Sequence, residues 1–262
     1  MDGAIAEAVL PERVALISRV VPVDGQVALA GLGLTIPQSK ITAIIGRSGG
    51  GKTVLLKHIL GLLAPDAGRI LVDGQDIVRL RGAALRRLRE RFGVVFQGGA
   101  LFDSLTVFEN VGFLLREKYE MPAAEVAHRV RAQLHDVGLD GVEKKYPDEL
   151  SGGMRKRVAL ARALIQDPDF AFFDEPTTGL DPVLLHSILR LIDAAWRRHG
   201  FTGVVVSHDI PEIFDIAHHV AVIEGGRLVE EGPPAVVQSS RNPAVRRFLT
   251  GGRDNGNGGD HP

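Results

Sequence analysis

Short apolar runs, each followed by a turn and then by a helical pattern, recur along this chain. Ile41–Ile45 leads into a glycine-rich turn, and Gly203–Val206 is a similar run further on. Phe170–Phe173 is apolar throughout and is followed by two carboxylates, Asp174 and Glu175. Consecutive apolar residues favour parallel strands that are covered on both faces. Because helical patterns alternate with these runs, the sequence predicts an α/β fold.

The hydrophobic period also changes along the chain and indicates separate segments. Residues 13–36 alternate loosely around turn residues, which predicts an antiparallel layer of two or three strands. From about residue 98 to 166 helical patterns dominate, and one of them opens with a capping box at Thr106 and Glu109. The predicted division is a first core part with the antiparallel layer at 1–97, a helical subdomain at 98–166, a second core part at 167–232, and a C-terminal helical extension with a disordered tail at 233–262.

The turn after the first apolar strand fits the phosphate-loop pattern G-x-x-x-x-G-K-[ST]. Glycines let backbone N–H groups surround an anion, and the following helix adds the positive end of its dipole. The lysine is expected to reach the β- and γ-phosphates, and the threonine hydroxyl is expected to bind Mg²⁺. The predicted phosphate-binding residues are Gly46, Ser48, Gly49, Gly50, Gly51, Lys52 and Thr53.

A second candidate anion site lies at Ser151-Gly152-Gly153, where another helical pattern begins. Two glycines in a first helical turn cost about 1 kcal/mol each relative to alanine, so they are a poor structural choice. They do allow an anion to approach the bare N–H groups, and the serine adds a hydroxyl. An ordinary serine N-cap is the alternative.

Candidate chemistry also lies at the ends of two predicted strands. In open α/β sheets, ligands bind at the carboxyl ends of the strands. Asp174 is expected to hold Mg²⁺ through water, and Glu175 to polarise an attacking water. His208 follows another strand and is expected to contact the γ-phosphate. The alternatives are a pair of loop acids and an unremarkable surface histidine.

Composition narrows the classes of function. The 262 residues carry a formal net charge of −1, so no strong field favours nucleic acid. Cysteine is absent, which excludes disulfides and cysteine-ligated zinc and fits a cytosolic protein. The sequence has no secretory signal and no apolar run near the roughly 18 residues that span a bilayer. If the protein acts at a membrane, another chain is expected to do the spanning.

Taken in order, the motifs resemble those of the ATP-binding-cassette ATPases from about Val14 to Leu249. The matching positions are the phosphate loop Gly46–Thr53, the glutamine Gln97, the signature Leu150–Met154, the acids Asp174 and Glu175, Asp181 in the next loop, and His208. Met154 departs from the common pattern, which has glutamine there. The resemblance implies an ABC ATPase fold, which is a RecA-like P-loop core with an antiparallel β layer plus an inserted helical subdomain.

The resemblance also implies ATP and Mg²⁺ as bound groups and a role for each matching residue. Glu175, His208 and Gln97 would be catalytic, and Thr53, Gln97 and Asp174 would hold the metal. Ser151, Gly152, Gly153 and Asp181 would add nucleotide contacts, with Ser151 and Gly153 acting on the nucleotide of the opposite subunit.

Finer features resemble the lipid-transport branch of this family. They lie in Gly49–His58, Phe96–Phe102 and Leu150–Arg157. The branch contains ATPases of the maintenance-of-lipid-asymmetry type, which energise bacterial phospholipid transport with a mammalian-cell-entry (MCE) substrate-binding protein. The resemblance implies a homodimer on the cytoplasmic face of the inner membrane, bound to permease subunits, the MCE-type protein and a small regulatory subunit, and no nucleic acid.

Two departures from the family's usual residues and one apolar segment lead to further expectations. No aromatic stands at positions 20–27, near Val23, to stack on adenine, so discrimination between ATP and GTP is expected to be modest. Ser39 replaces a glycine common in the family and is expected to alter only a turn. Gly98–Thr106 is expected to expose Leu101 and Phe102 to a permease helix, with core packing as the alternative.

Three other functions remain open at this stage. A soluble cassette ATPase acting on DNA or ribosomes usually carries two fused cassettes or a long coiled coil, and the sequence has neither. A nucleotide-binding regulator without turnover is disfavoured by Glu175 and His208. A transporter ATPase for another cargo is the closest alternative, because cargo is recognised by partner chains.

Overall fold

The computed structural model describes residues 12–20, 28–119 and 121–250, which form two sheets and the helices around them. The strands are β1 Glu12–Val20, β2 Leu29–Pro37, β3 Ile41–Ile45, β4 Ala67–Val72, β5 Gln75–Asp76, β6 Phe92–Val95, β7 Phe170–Asp174, β8 Thr202–Ser207, β9 His219–Glu224 and β10 Arg227–Gly232. The helices are α1 Lys52–Ile59, α2 Gly82–Arg89, α3 Val107–Glu117, α4 Ala123–Asp136, α5 Gly152–Leu164, α6 Pro182–His199, α7 Pro234–Gln238 and α8 Pro243–Leu249.

The larger sheet has the strand order β10-β9-β3-β8-β7-β6 and is parallel except for β10. Strands β3, β7 and β8 are buried at every position, as their apolar runs predicted. The register pairs Ile45 with Ser207, and Asp174 with Val206. The loops that follow β3, β7 and β8 therefore leave the sheet at one common edge. The predicted α/β class is confirmed.

The smaller sheet has the order β2-β1-β4-β5 and is antiparallel, as the sequence predicted. It covers one face of the larger sheet. Leu29, Leu32 and Ile36 of β2 share a buried cluster with Ile44 of β3 and Phe172 of β7. Burial of large side chains on both sheets fixes this layer against the strand that carries the acids.

Helix α1 ends at Ile59, although apolar residues continue to Leu63. Gly61 adopts a φ of 65°. The Gly61 N–H donates to the His58 carbonyl at 2.9 Å, and the Leu62 N–H donates to the Lys57 carbonyl at 2.9 Å. This pair of bonds is a Schellman termination, which needs a residue in the left-handed region just after the helix.

Helices α3, α4 and α5 pack together around buried apolar residues that include Val111, Val130 and Val158. Gly112 lets α3 and α4 approach closely, because a Cβ there would lie 3.1 Å from methyl groups of both Val126 and Val130. These helices lie in the segment predicted as the helical subdomain. The division into four segments stays a prediction, and the predicted disordered tail falls at 251–262, outside the described residues. No helix in the described part of the chain is both long and apolar enough to cross a membrane.

The predicted capping box at the start of α3 is present. The Glu109 N–H donates to the Thr106 hydroxyl at 3.3 Å, and the Thr106 N–H donates to the Glu109 carboxylate at 2.8 Å. The Thr106 hydroxyl also donates to the Glu109 carboxylate at 2.8 Å. The pKa of Glu109 is lowered, mainly by the bond from the Thr106 backbone N–H and then by the bond from the Thr106 hydroxyl. The box therefore satisfies two backbone donors, and its bonds to the carboxyl group are strongest while Glu109 is ionised.

We expect Thr106→Ala to lower the free energy of unfolding by about 1 kcal/mol at neutral pH, since it removes a cap. Thr106→Ser should retain most of the stability. Because the pKa of Glu109 is depressed in the folded state, its contribution is present above the ordinary glutamate pKa and is lost as pH falls through the folded value. Urea unfolding across this range should show a smaller difference at acid pH; a pH-independent difference would contradict the role assigned to Glu109.

Candidate nucleotide-binding site

The phosphate loop is built where backbones approach too closely for any side chain. A Cβ on Gly46 would lie 2.0 Å from the Ile223 carbonyl oxygen, and Gly46 has a φ of 152°. A Cβ on Gly51 would lie 2.5 Å from the Ala28 carbonyl oxygen, and Gly51 has a φ of 94°. Gly51 is also the N-cap of α1. Both glycines are therefore required by space and by backbone conformation.

Lys52 lies inside this loop and is only 4% exposed. Its Nζ donates to the Gly46 carbonyl at 2.8 Å and to the Arg47 carbonyl at 3.0 Å. Burial lowers the pKa of Lys52, and the charges of Glu175 and Asp174 oppose that shift. An ammonium has three N–H donors, so two hold the loop in shape and one is left for an anion.

Asp174, at the end of β7, lies beside Thr53 and is only 5% exposed. The Thr53 hydroxyl donates to its Oδ1 at 3.2 Å. The pKa of Asp174 is raised, mainly by burial and further by the charge of Glu175, while Thr53, Lys57 and Lys52 act in the opposite direction. The structure thus places an oxygen pair of hydroxyl and carboxylate at the start of α1.

This oxygen pair fits Mg²⁺ bound together with a nucleotide. No cluster of three or more His, Cys, Asp or Glu residues that could hold a metal occurs within the described ranges. Mg²⁺ is commonly bound by one or two protein groups, with substrate phosphates and waters completing its shell. The two oxygens present are therefore sufficient for that mode of binding.

Glu175 has a φ of 46°, a left-handed conformation that is costly for a residue with a Cβ. Its carboxylate accepts hydrogen bonds from the Gln97 amide at 3.1 Å and from the Thr178 hydroxyl at 3.0 Å. The His208 Nδ1 lies 3.4 Å from the other carboxylate oxygen. Three side chains from three loops thus orient one carboxylate. The sequence analysis did not single out Thr178.

A cavity of about 330 Å³ lies over the phosphate loop. Its walls are formed by Ala28, Ser48, Gly49, Gly51, Lys52, Thr53, Val54, Gln97 and Glu175. Gly46 and Gly50 belong to the same phosphate loop. Asp174 contacts the cavity-lining residue Thr53, and His208 contacts the cavity-lining residue Glu175. The structure therefore brings together the residues predicted for the phosphates, the metal and catalysis.

The other predicted residues lie outside this cavity. Ser151 is the N-cap of α5, and its exposed hydroxyl accepts a hydrogen bond from the Met154 N–H at 3.3 Å. Gly153 is buried, and a Cβ there would lie 3.2 Å from the Leu184 side chain. Asp181 caps α6 by accepting bonds from the Val183 and Leu184 N–H groups. Ser151 is thus an N-cap in this structure, and its hydroxyl hydrogen stays free to donate.

A second cavity of about 270 Å³ lies between the start of α5 and the loop before α6. Gly152, Gly179 and Gln97 contribute to its walls, so Gln97 borders both cavities. Lys156 of α5 also lines it, and its Nζ donates to the Gln97 carbonyl at 2.5 Å. The sequence analysis did not single out Lys156, because nothing local links it to a residue 59 positions away. The predicted modest discrimination between ATP and GTP depends on positions 20–27, most of which lie outside the described residues, and it stays a prediction.

Comparison with known proteins agrees with this geometry. The family model described as ABC transporter matches residues 29–178. The intermembrane phospholipid transport system ATP-binding protein MlaF of Escherichia coli K12 is 44% identical over 220 residues, which cover 84% of this chain and 82% of that protein. The probable ribonucleotide transport ATP-binding protein mkl of Mycobacterium tuberculosis is 42% identical over 84% of this chain and 61% of its own length.

Solved structures show the same fold. CbiO1 of Clostridium perfringens, part of the ABC transporter complex cbiONQ, superposes with a TM-score of 0.79 at 31% identity, covering 92% of this chain and 95% of that chain. The cassette MJ0796, solved as a dimer in a post-hydrolysis state with ADP and Pi, superposes with a TM-score of 0.77 at 30% identity, covering 84% of this chain and 98% of that chain. The chain therefore belongs to the ABC transporter family and is one of its ATP-hydrolysing cassettes.

Proposed function

We propose that this chain is the ATPase subunit of a phospholipid transporter and works as a homodimer on permease subunits at the cytoplasmic face of the inner membrane. The observation that carries the ATPase chemistry is the Glu175 carboxylate, oriented by Gln97, Thr178 and His208 at the rim of the phosphate-loop cavity. The proposal also includes an MCE-type substrate-binding protein and a small regulatory subunit as partners, and no nucleic acid.

In this proposal the phosphate loop neutralises the triphosphate. Backbone N–H groups from Gly49 to Thr53 and the Lys52 ammonium take up the charge of the β- and γ-phosphates. Thr53, Asp174 and Gln97 would hold Mg²⁺, which supplies charge neutralisation at the phosphate oxygens when it is bound.

The hydrolytic step is assigned to groups beyond the γ-phosphate. Glu175 accepts a proton from the attacking water, and its bonds from Gln97 and Thr178 fix the direction of that carboxylate. His208 is within contact distance of Glu175, where it can hold the γ-phosphate and the carboxylate in one arrangement. Positioning and electrostatic stabilisation supply most of the rate in phosphoryl transfer, so the orientation of these side chains matters more than covalent chemistry.

The proposed homodimer is supported by the position of the signature residues in one chain. Ser151, Gly152, Gly153 and Asp181 do not line the phosphate-loop cavity of their own chain. In the proposal these residues contact the nucleotide of the opposite subunit. Hydrogen bonds to a charged phosphate are worth about 1.5–3 kcal/mol each. A few of them can supply the roughly 5.5 kcal/mol needed to switch a two-state dimer almost fully from open to closed.

The assignment of phospholipid as cargo rests on the MlaF relatives and on the lipid-branch motifs. The mycobacterial relative is named for ribonucleotide transport at a similar identity, so a nucleotide cargo is the second candidate. A complex purified with its permease should contain phospholipid, and its ATPase rate should respond to added phospholipid. Absence of both, with a response to ribonucleotides at the transport site, would favour the second cargo.

The permease is proposed to dock in an apolar groove of about 480 Å³ beside Gln97. Phe92, Phe96, Phe102 and Phe113 line it, and the ring centroids of Phe102 and Phe113 lie 5.2 Å apart. Phe102 is 46% exposed, as the sequence analysis expected. Leu101 differs from expectation, because it is half-buried and packs against the core. Only Phe102 is therefore suited to a clean test of docking.

We expect Glu175→Gln to reduce ATP turnover at least about a hundredfold while ATP binding is retained, because the phosphate-binding groups are untouched and only the proton acceptor is lost. The measurements are steady-state turnover and equilibrium ATP binding by the same preparation. A variant with turnover near that of the wild type would exclude Glu175 as the base.

We expect Asp174→Asn to stabilise the nucleotide-free protein at neutral pH. The raised pKa of Asp174 means that its ionised form is disfavoured in the fold, so this cost grows as pH rises above the ordinary aspartate value. The Asn oxygen can still accept the bond from Thr53. Without ligand, the variant should melt at a higher temperature than the wild type. In the wild type, ATP with Mg²⁺ should raise the melting temperature more than ATP with a chelator, and the variant should lose this difference. Retention of that Mg²⁺-dependent shift would contradict the metal role.

We expect Phe102→Ser to weaken capture of the permease at least tenfold, since an apolar anchor is removed from the groove. The fold should survive, because buried Asn110 holds the backbone of Phe102 through bonds of 2.8 and 3.0 Å. Leu62→Ser, at a side chain that is 50% exposed outside the groove, is the matched control. Equal capture by both variants, with ATP binding intact, would place the docking surface elsewhere.

A further inference from the structure

Helix α5 holds the segment after β6 through two cationic side chains. The Lys156 ammonium donates to the Gln97 carbonyl at 2.5 Å. The Arg162 guanidinium donates to the Gly99 carbonyl at 3.0 Å and to the Ala100 carbonyl at 2.7 Å. Three carbonyls within four consecutive residues are thus bound by one helix. This segment cannot change its position without breaking these bonds or moving with α5.

Lys156 is half-buried in this arrangement. Burial lowers the pKa of Lys156, and the charges of Glu175 and Asp174 oppose that shift. No carboxylate in the described part of the chain forms an ion pair with it. A lysine that only solubilised the surface would extend into water instead, because burying an unpaired ammonium is costly.

The contacts of Lys156 continue into the site. Its bond fixes the Gln97 carbonyl, and the Gln97 side-chain amide donates to Glu175 at 3.1 Å. Lys156 is thus connected to the proposed general base through one intervening residue, Gln97. At the other end, α5 begins at Ser151 and Gly152, one turn before Lys156. The same helix therefore carries both the N-terminus that would meet the opposite nucleotide and the cation that holds Gln97.

We infer that Lys156 is a positioning residue for ATP hydrolysis, which orients Gln97 towards Glu175 and links movement of α5 to that orientation. This inference rests on the proposed function, because it acts through Glu175 as the base. It goes further, since it assigns a specific side chain to the connection between the signature end of α5 and the catalytic carboxylate of the same subunit. Arg162 holds the adjacent carbonyls and keeps the segment from moving independently.

The simpler alternative is that Lys156 only ties α5 to a loop and stabilises the fold. The two roles differ in what they predict for kinetics. A purely structural bond should lower stability and leave turnover per folded molecule unchanged. A positioning residue should lower kcat while leaving ATP affinity nearly intact, because the phosphate-binding groups of the loop do not depend on Gln97.

The test uses the full chain with Lys156→Met, which keeps the length of the side chain and removes its charge and donors. We expect kcat to fall at least about tenfold, with the Kd for ATP within about threefold of the wild type. Lys156→Arg retains a cationic donor and should restore most of the rate. Arg157→Met is the matched control. The Arg157 guanidinium donates to the Val137 carbonyl and the Ser187 hydroxyl, away from Gln97, so its loss should affect melting temperature rather than kcat.

A double-mutant cycle with Glu175→Gln shows whether Lys156 acts through the carboxylate. If it does, Lys156→Met should reduce the residual single-turnover rate of the Glu175→Gln protein by less than about twofold, because the group it orients is already gone. Equal fold losses in both backgrounds, or an unchanged kcat in Lys156→Met alone, would overturn the inference. The proposed function fails separately, if Glu175→Gln itself leaves turnover unchanged.

Discussion

The parallel register of three strands is the constraint on which the rest of the site depends. Because β3, β7 and β8 run in the same direction and end level with one another, the loops after them meet at one edge of the sheet. Thr53 and Asp174 are 121 residues apart in the sequence, yet their loops become neighbours at this edge. The loop that carries His208 meets them there, with the His208 Nδ1 3.4 Å from the Glu175 carboxylate. Continuous apolar runs provide this alignment, since a strand buried on both faces cannot shift without exposing side chains.

At this edge the protein without ligand buries charged side chains and holds one residue in a costly backbone conformation, and both lower its stability. Lys52 and Asp174 are both almost fully buried. Burial lowers the pKa of Lys52 and raises the pKa of Asp174, and both shifts favour the uncharged form. Glu175 adds a left-handed backbone conformation. Perturbed groups and strained residues commonly cluster at functional sites, where a bound ligand provides the missing partners. An anion bearing a divalent cation would offset both burial costs at once.

Local signals made much of this structure predictable from sequence. The phosphate loop and the capping box at Thr106 each depend on neighbours within a few residues, so pattern alone identifies them. The contacts of Lys156 with Gln97 and of Thr178 with Glu175 were not predictable, because they depend on how helices and loops pack in three dimensions. Leu101 packs partly against the core, which the sequence analysis gave only as the alternative, because an apolar residue in a loop does not reveal which side faces the core.

The carbonyl of Ile223 that faces Gly46 shows how far the phosphate loop depends on the end of the chain. Strand β3 pairs only with β8 and β9 in the described structure, and both begin after residue 178, where the family match ends. The Ala30 N–H also donates to the Gly226 carbonyl at 2.8 Å, which closes the wall beside Gly51. A fragment limited to residues 29–178 would contain every phosphate-loop residue and still lack both strands that hold it. During synthesis the loop can consequently acquire these contacts only after residues up to Gly226 have emerged.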